Sequence, residues 1–191
     1  MALTWAVILS ACTAPSTGPG RAVPPGYLFA GRYLDITAPN SAGWRLVSEK
    51  PDLWAFARNG SEPDETYIAS VATFDLPAAI SRDDFVALVR RNAERDSNPD
   101  RFKDVRSTVE LSDVRPYPCV HYQATAEDTQ AKTRTGDRRP LVFEMVGLYC
   151  QDVLLRDMGF AAIYSHRGNT ADPQFQKDAA DFVAGIRVPG H

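Results

Sequence analysis

Short runs of alternating apolar and polar residues recur along most of the chain, and this pattern is typical of half-buried β-strands. Turn-forming residues such as Asn59-Gly60 separate the runs. The pattern predicts strands at 33–37, 44–47, 53–57, 66–74, 105–114, 119–127, 141–150 and 159–165. Consecutive strands joined by turns indicate a sheet that is largely antiparallel.

Two segments instead carry apolar residues at helical spacing. Ser81 is predicted to cap a helix that ends near Asp96, and Asp83 and Asp84 lie in its first turn, where the helix dipole favours acids. Asp172-Pro173 predicts the start of a second helix, with proline at the first helical position. The buried stripe of this last helix is predicted to contain Phe175, Ala179, Phe182, Val183 and Ile186. Helices packed on an antiparallel β-sheet place the fold in the α+β class.

Composition narrows the class of protein. The chain has 191 residues, of which 44% are hydrophobic, and its formal net charge is −3. This length fits one domain with appendages, and the charge argues against a nucleic-acid partner. The sequence contains no phosphate-binding glycine motif and no paired Cys or His ligands at metal-site spacing, so we expect no cofactor and no metal.

The N-terminus combines a short apolar run with small residues and a cysteine, Leu9-Ser10-Ala11-Cys12. This motif resembles the lipobox of bacterial lipoproteins, in which the leader is cleaved and the cysteine acylated. The resemblance implies a signal peptide at 1–11 and lipidation at Cys12. The protein would then face the periplasm from a cell-envelope membrane, the outer one in particular because Thr13 is not Asp. The alternative is a buried N-terminal strand or short helix that ends in an inert cysteine.

The segment that follows the lipobox is rich in proline and glycine. Such composition is incompatible with a helix or with the interior of a sheet. We therefore predict that 12–26 is a flexible tether and that 27–191 is a single globular domain.

The order of the predicted elements resembles the Mog1/PsbP-like fold, an α/β sandwich found in several envelope lipoproteins. The resemblance covers about Leu34 to Val188 and includes the terminal segment Phe182-Val183-Ala184-Gly185-Ile186. Two further segments, 115–120 and 159–168, resemble uncharacterised proteobacterial lipoproteins. Folds of this type carry unrelated tasks, so the resemblance implies a fold and no activity.

Cys119 begins one predicted strand and Cys150 ends the next, so an antiparallel hairpin places them opposite each other. A disulfide between them fixes the register of the whole pair. That register predicts the pairs Val120–Tyr149, Tyr122–Gly147, Ala124–Met145 and Ala126–Phe143, which share one nearly apolar face. Three cysteines then divide into one lipid anchor and one disulfide, as expected in an oxidising compartment. The alternative is two unpaired buried thiols.

Candidates for catalysis are few. His121 is predicted on the sheet face that carries Cys119, His166 before a turn at Arg167-Gly168, and His191 at the chain end. Ser165 and His166 are neighbours on a strand and point to opposite faces, which excludes a catalytic pair. We expect structural or surface roles for all three histidines and no catalytic residue. Asp83 and Asp84 are interpreted as helix-start residues and not as an acid pair.

Two other features invite a binding role. The loop at 128–140 contains four basic and two acidic residues, and we expect it to be solvated and mobile unless it contacts anionic lipid, cell-wall polymer or a protein. Trp44, Trp54 and Phe56 are expected to pack in the core, with an apolar pocket as the alternative. The leading hypothesis is a non-enzymatic, lipid-anchored binding or assembly module with an unidentified envelope partner. The alternatives are a hydrolase with a site near His121 or His166, and a carrier of a small apolar ligand.

Overall fold

The computed structural model describes residues 20–77, 80–136, 139–152 and 157–190. Leader, lipobox and Cys12 lie outside these ranges, as does His191. The described residues form eleven strands and two helices: β1 (Arg21–Ala22), β2 (Leu28–Phe29), β3 (Asp35–Thr37), β4 (Arg45–Lys50), β5 (Leu53–Asn59), β6 (Thr66–Asp75), α1 (Arg82–Asp96), β7 (Phe102–Ser112), β8 (Cys119–Asp128), β9 (Leu141–Gln151), β10 (Met158–Gly168), α2 (Phe175–Ala184) and β11 (Ile186–Arg187).

An eight-stranded antiparallel main sheet organises the fold, in the order β1-β4-β5-β6-β10-β9-β8-β7. A small sheet of β11, β3 and β2 is separate from it. Two apolar clusters cover opposite faces of the main sheet. The first contains Phe85 and Val89 of α1, and we call that side the α1 face. The second contains Phe175 and Phe182 of α2 together with residues of the small sheet, and we call that side the α2 face. The predicted α+β class is confirmed.

The first helix begins and ends where the sequence predicts. The side chain of Ser81 accepts a hydrogen bond from the backbone N–H of Asp84 at 3.1 Å. Phe85 and Val89 are buried, while Asp83 and Asp84 are exposed in the first turn. The two carboxylates therefore serve the helix start, as expected.

The second helix differs from the prediction at both ends. It begins at Phe175, and Pro173 lies in the turn before it. Asp172 still accepts a hydrogen bond from the Gln174 backbone at 2.8 Å, which stabilises that preceding turn. Ile186 is buried as expected but belongs to β11, where it pairs with Ile36 of the small sheet.

A side chain that is distant in the sequence holds the C-terminal end of α2 in place. Arg115 Nη2 donates hydrogen bonds to the carbonyl oxygens of Val183 at 2.9 Å and of Ile186 at 2.8 Å. A cation at a helix C-terminus satisfies carbonyls that have no partner within the helix. This contact ties the loop before β8 to the end of α2.

The β8–β9 hairpin confirms the predicted register at every position. Cys119 lies opposite Cys150, and their sulfur atoms are bonded at 2.07 Å. The apolar partners predicted to share a face all pack on the α1 face: Val120, Tyr122, Ala124, Ala126, Phe143, Met145 and Tyr149. The alternative of two free thiols is excluded for this pair.

The N-terminal boundary of the domain is earlier than the composition predicts. Arg21 and Ala22 pair with β4, and the Val23 N–H donates to the Trp44 carbonyl at 3.0 Å. Val23 is buried in the core of the α2 face. The part of the predicted tether from residue 20 to 26 therefore belongs to the folded domain, because it covers an edge strand that would otherwise remain unpaired.

Replacing Cys119 with serine should lower the free energy of unfolding by about 3 kcal/mol. The bond closes a loop with a sequence separation of 31, and its loss gives the unfolded chain more conformational freedom. Urea denaturation followed by tryptophan fluorescence measures the change. The Cys150→Ser variant and the double variant serve as controls, and all three should be equally destabilised. An unchanged midpoint in the single variants would contradict the prediction.

Candidate functional site

A row of polar side chains crosses the α2 face near one end of the main sheet. Arg58 of β5 pairs with Tyr67 of β6, Tyr67 with His166 of β10, and His166 with Glu144 of β9. We call these four residues the polar row. Strand β10 continues to Gly168, so His166 lies within a strand and not before a turn at Arg167-Gly168 as predicted.

His166 is fully enclosed in this row. Its Nδ1 atom lies 3.0 Å from Glu144 Oε2, and Nε2 lies 3.4 Å from Glu65 Oε1. The rings of Tyr67 and Phe175 pack against it at centroid distances of 4.7 and 6.4 Å. The residue is 1% exposed, so a substrate has no access to either ring nitrogen without a rearrangement. This environment favours a structural role.

Carboxylates hold the rest of the row in place. The Tyr67 hydroxyl donates to Glu65 at 2.9 Å and lies 3.0 Å from Asp172 Oδ2. Burial and these two acids raise the pKa of Tyr67, so the phenol stays protonated. Partial burial acts to raise the pKa of Glu65, but hydrogen bonds from Tyr67 and from the Glu62 and Ser61 amides outweigh it and lower that pKa.

At the outer end of the polar row, the guanidinium group of Arg58 stacks on two aromatic rings. The guanidinium carbon of Arg58 lies 4.2 Å from the centre of the Tyr67 ring and 5.4 Å from that of Trp44. Cation–π contacts of this kind stabilise a half-buried arginine against aromatic rings. The polar row thus consists of groups in contact with one another, although Arg58 Nε and His166 Nε2 are buried without a hydrogen-bond partner among the described residues.

The other sequence candidates do not join this row. His121 is half-buried on the α2 face, and its cross-strand neighbours are Glu110 and Leu148, neither of which carries a hydroxyl or thiol nucleophile. Ser165 lies on the opposite face of the sheet from His166, and its hydroxyl is 3.4 Å from the Ile68 carbonyl oxygen. The structure therefore brings no serine, histidine and acid together at these positions.

The loop at 128–140 is more firmly attached than its composition predicts. Asp128, its first residue, is completely buried and contacts Arg101 at 2.9 Å and Arg167 at 2.8 Å. Further along, the Thr135 hydroxyl donates to the buried Asp64 at 2.6 Å. That hydrogen bond exceeds the opposing effect of burial and, with the Arg134 amide, lowers the pKa of Asp64. The expectation of a wholly solvated loop is wrong. Asp128 and Thr135 bind residues that are far away in the sequence, so the loop composition alone does not reveal these contacts.

The accessible candidate is a shallow apolar cleft on the α2 face, between the small sheet and β5–β6. Its volume is about 140 Å³. Its apolar lining consists of Phe29, Ala30, Tyr33, Leu34, Ile36, Pro51, Trp54 and Val71, and we call it the aromatic cleft. Of the three aromatic residues that the sequence singles out, Trp54 lines the cleft, whereas Trp44 and Phe56 are buried in the core as expected.

Aromatic stacking shapes this cleft. Phe29 packs against Trp54 with ring centroids 5.0 Å apart and against Tyr27 at 4.8 Å. The guanidinium of Arg21 lies 5.7 Å from the Phe29 ring. Because β1 carries Arg21, the cleft lies beside the point where residues 1–19 join the domain. Sequence patterning missed Phe29, which lies in a two-residue strand without periodicity, and it placed Tyr33 in a strand at 33–37, whereas β3 begins at Asp35.

Neither a metal site nor a membrane-spanning helix is found in the described ranges. None of the groups of His, Cys, Asp and Glu there has the arrangement of a metal site. Neither of the helices found there is both long and apolar enough to span a bilayer.

Comparison with known proteins adds little. No family model and no curated protein matches the chain. One solved structure that aligns with it is a fragment of a STAR-related lipid transfer protein from Xanthomonas axonopodis. The two chains are 15% identical, and the alignment covers 75% of this chain and 93% of that one with a TM-score of 0.28. A similarity this low carries no conclusion about fold or ligand.

Replacing Asp64 with asparagine should destabilise the protein at neutral pH by about 2 kcal/mol, because charge-assisted hydrogen bonds to the 128–140 loop are lost. The folded-state pKa of Asp64 lies below its unfolded value, so this stabilisation is present above about pH 4 and disappears as the pH falls further. Denaturation of both proteins from pH 7 to 3 measures the difference. The exposed Asp75→Asn variant is the control. A difference independent of pH would contradict the assignment.

Proposed function

We propose that the protein is a lipid-anchored component of the bacterial cell envelope whose domain acts as a non-catalytic binding or assembly module. Residues 1–11 act as the signal peptide, and Cys12 carries the lipid. The domain faces the periplasm, and Thr13 after the lipidated cysteine favours the outer membrane. The lipobox motif Leu9-Ser10-Ala11-Cys12 and the disulfide between Cys119 and Cys150 support this location.

The aromatic cleft is the observation that carries the binding role. It is open on a surface where Tyr27 is 48%, Leu28 53% and Tyr33 41% exposed. Exposed apolar residues grouped around a concave aromatic site mark an interaction surface more often than they mark folding requirements. Such pockets accept an anchoring side chain from a partner protein and dominate the binding energy.

The size of the cleft favours a protein partner over a lipid cargo. Sites for small ligands usually enclose about 300–1,000 Å³, whereas this cleft has about 140 Å³. A cavity of about 150 Å³ holds a single benzene ring. One aromatic or aliphatic side chain therefore fits, and an acyl chain does not fit without widening of the cleft. The small-ligand carrier remains the second candidate because the lining is apolar.

The histidines give the hydrolase alternative less support. His166 is enclosed by Glu144, Tyr67 and Phe175, and His121 has no hydroxyl or thiol nucleophile among its cross-strand partners. At the level of fold, we propose the Mog1/PsbP-like subclass of the α+β class. The position of α1 between β6 and β7, and of α2 after β10, supports it.

Lipidation at Cys12 predicts that the protein incorporates a clickable palmitate analogue when it is expressed in a bacterial host. The Cys12→Ala variant should lose this label, because the acylated sulfur is absent. The Cys119→Ser variant, in which a different cysteine is changed, is the control and should remain labelled. In-gel fluorescence of the purified protein gives the measurement. Equal labelling of the Cys12→Ala protein would contradict lipidation at this residue.

The cleft predicts a site-specific contact in intact cell envelopes. A photoreactive phenylalanine analogue in place of Tyr33 should yield a discrete protein adduct on irradiation, because this position lines the cleft. The same analogue at the exposed Gln176 of α2 is the matched control and should yield none.

Trp54→Ala should weaken the Tyr33 adduct, because it removes one wall of the cleft. Mass spectrometry of the adduct separates the two candidate functions. A covalently attached lipid in place of a protein would favour the carrier.

A further inference from the structure

Strand β7 forms one edge of the main sheet, and among the described residues it pairs only with β8. It runs for eleven residues, from Phe102 to Ser112, and most of them are exposed. The outer edge of such a strand presents backbone N–H and C=O groups that can pair with another strand. Its apolar residues Val105 and Leu111 are 40% and 41% exposed.

The beginning of β7 carries a β-bulge, which protects that part of the edge against pairing. Its register with β8 shifts between Lys103 and Arg106, and Asp104 there has a φ of 51°. Such a bulge bends a strand and discourages further pairing. From Arg106 to Ser112 the register is regular, and this segment contains no proline. Seven residues of exposed, regular strand edge remain.

The sequence of this segment is complementary to itself in the antiparallel direction. When Thr108 lies opposite Thr108 of a second copy, Arg106 lies opposite Glu110 and Ser107 opposite Val109, all within the regular segment. The structure contains no ion pair of Arg106 or Glu110 within its described ranges, so both charges are available. Opposite charges and apolar pairs in direct cross-strand positions stabilise a sheet.

Neighbouring registers lack this match. Centring the pair on Ser107 places Arg106 opposite Thr108 and carries Glu110 beyond the regular segment, to the bulge between Lys103 and Arg106. Centring it on Val109 places Arg106 opposite Ser112 and Glu110 opposite Thr108. Because side chains alternate between faces, only registers that place a residue opposite itself are allowed for two identical antiparallel strands. Within the regular segment from Arg106 to Ser112, the Thr108-centred register is therefore the one that places Arg106 opposite Glu110.

We propose that β7 pairs antiparallel with β7 of a second copy of this chain, centred on Thr108, and joins the two main sheets into one. The two-fold axis is perpendicular to the sheet, so both α1 helices lie on the same side. Backbone hydrogen bonds along the regular segment from Arg106 to Ser112 supply the attraction. The exposed Arg106–Glu110 pairs contribute little energy, and they select the register. This inference is independent of the lipid anchor and of the aromatic cleft.

A cysteine at the symmetry axis tests the register directly. Directly paired residues have Cα atoms about 4.5–5.5 Å apart, which a disulfide spans. The Thr108→Cys variant, made in the Cys12→Ala full chain, should form a reducible covalent dimer on mild oxidation. The Gln176→Cys variant, exposed on α2, should not. Equal crosslinking of the two variants, or none at Thr108→Cys, overturns the proposal.

Charge reversal provides a second test that does not depend on the new cysteine. In the Cys12→Ala full chain, Arg106→Glu and Glu110→Arg should each weaken dimerisation about tenfold, because each places two like-charged pairs in the interface. The double variant should restore it. Sedimentation velocity over a concentration series measures the dimer. A monomer at every concentration, or a double variant as weak as the single ones, overturns the proposal.

Discussion

The register of β10 in the middle of the main sheet is the constraint on which the other elements depend. This strand is buried on both faces over almost its whole length. Ala161 and Ile163 pack on the α1 face, whereas Phe160 and Tyr164 pack on the α2 face. A shift by one residue would exchange these two sets, because side chains alternate along a strand. Both helices would then meet the wrong surface.

Polar partners at the end of β10 make such a shift more costly. His166 meets Glu144 on the α2 face, and the next residue, Arg167, meets Asp128 on the α1 face. Each is almost completely buried, so a slip would leave charged groups in apolar surroundings without partners. Apolar packing alone tolerates exchange between similar residues, but these pairs admit one register. We interpret the polar row, and the ion pairs of Asp128 with Arg101 and Arg167, as determinants of strand register.

Local chemistry in the sequence predicted the elements that depend on neighbouring residues. The Ser81 cap and the β8–β9 pairing follow from capping and from the constant index sum of an antiparallel hairpin, and both are confirmed. The predicted start of α2 was wrong because Asp172-Pro173 forms a turn of its own before the helix. In this turn Asp172 accepts a hydrogen bond from the Gln174 amide and also contacts Tyr67. The local capping bond of Asp172 is thus retained, and α2 begins two residues after Pro173.

What the sequence could not predict depends on residues far apart in the chain. Asp128 looked like part of a charged loop because its partners, Arg101 and Arg167, are 27 and 39 positions away. The aromatic cleft likewise combines Phe29 of the small sheet with Trp54 of β5. The hydrophobic pattern of each segment gives no indication that it packs against the other, so only the tertiary structure identifies the cleft.

The topology separates the two surfaces available for interaction. The aromatic cleft lies at β5 and β6 together with the small sheet, whereas β7 forms the far edge of the main sheet. Three strands, β10, β9 and β8, lie between β6 and β7 in the strand order. With neighbouring strands about 4.8 Å apart, the cleft and the β7 edge are separated by roughly 20 Å. The proposed pairing through β7 therefore leaves both clefts open, and the proposed two-fold assembly presents two equivalent clefts.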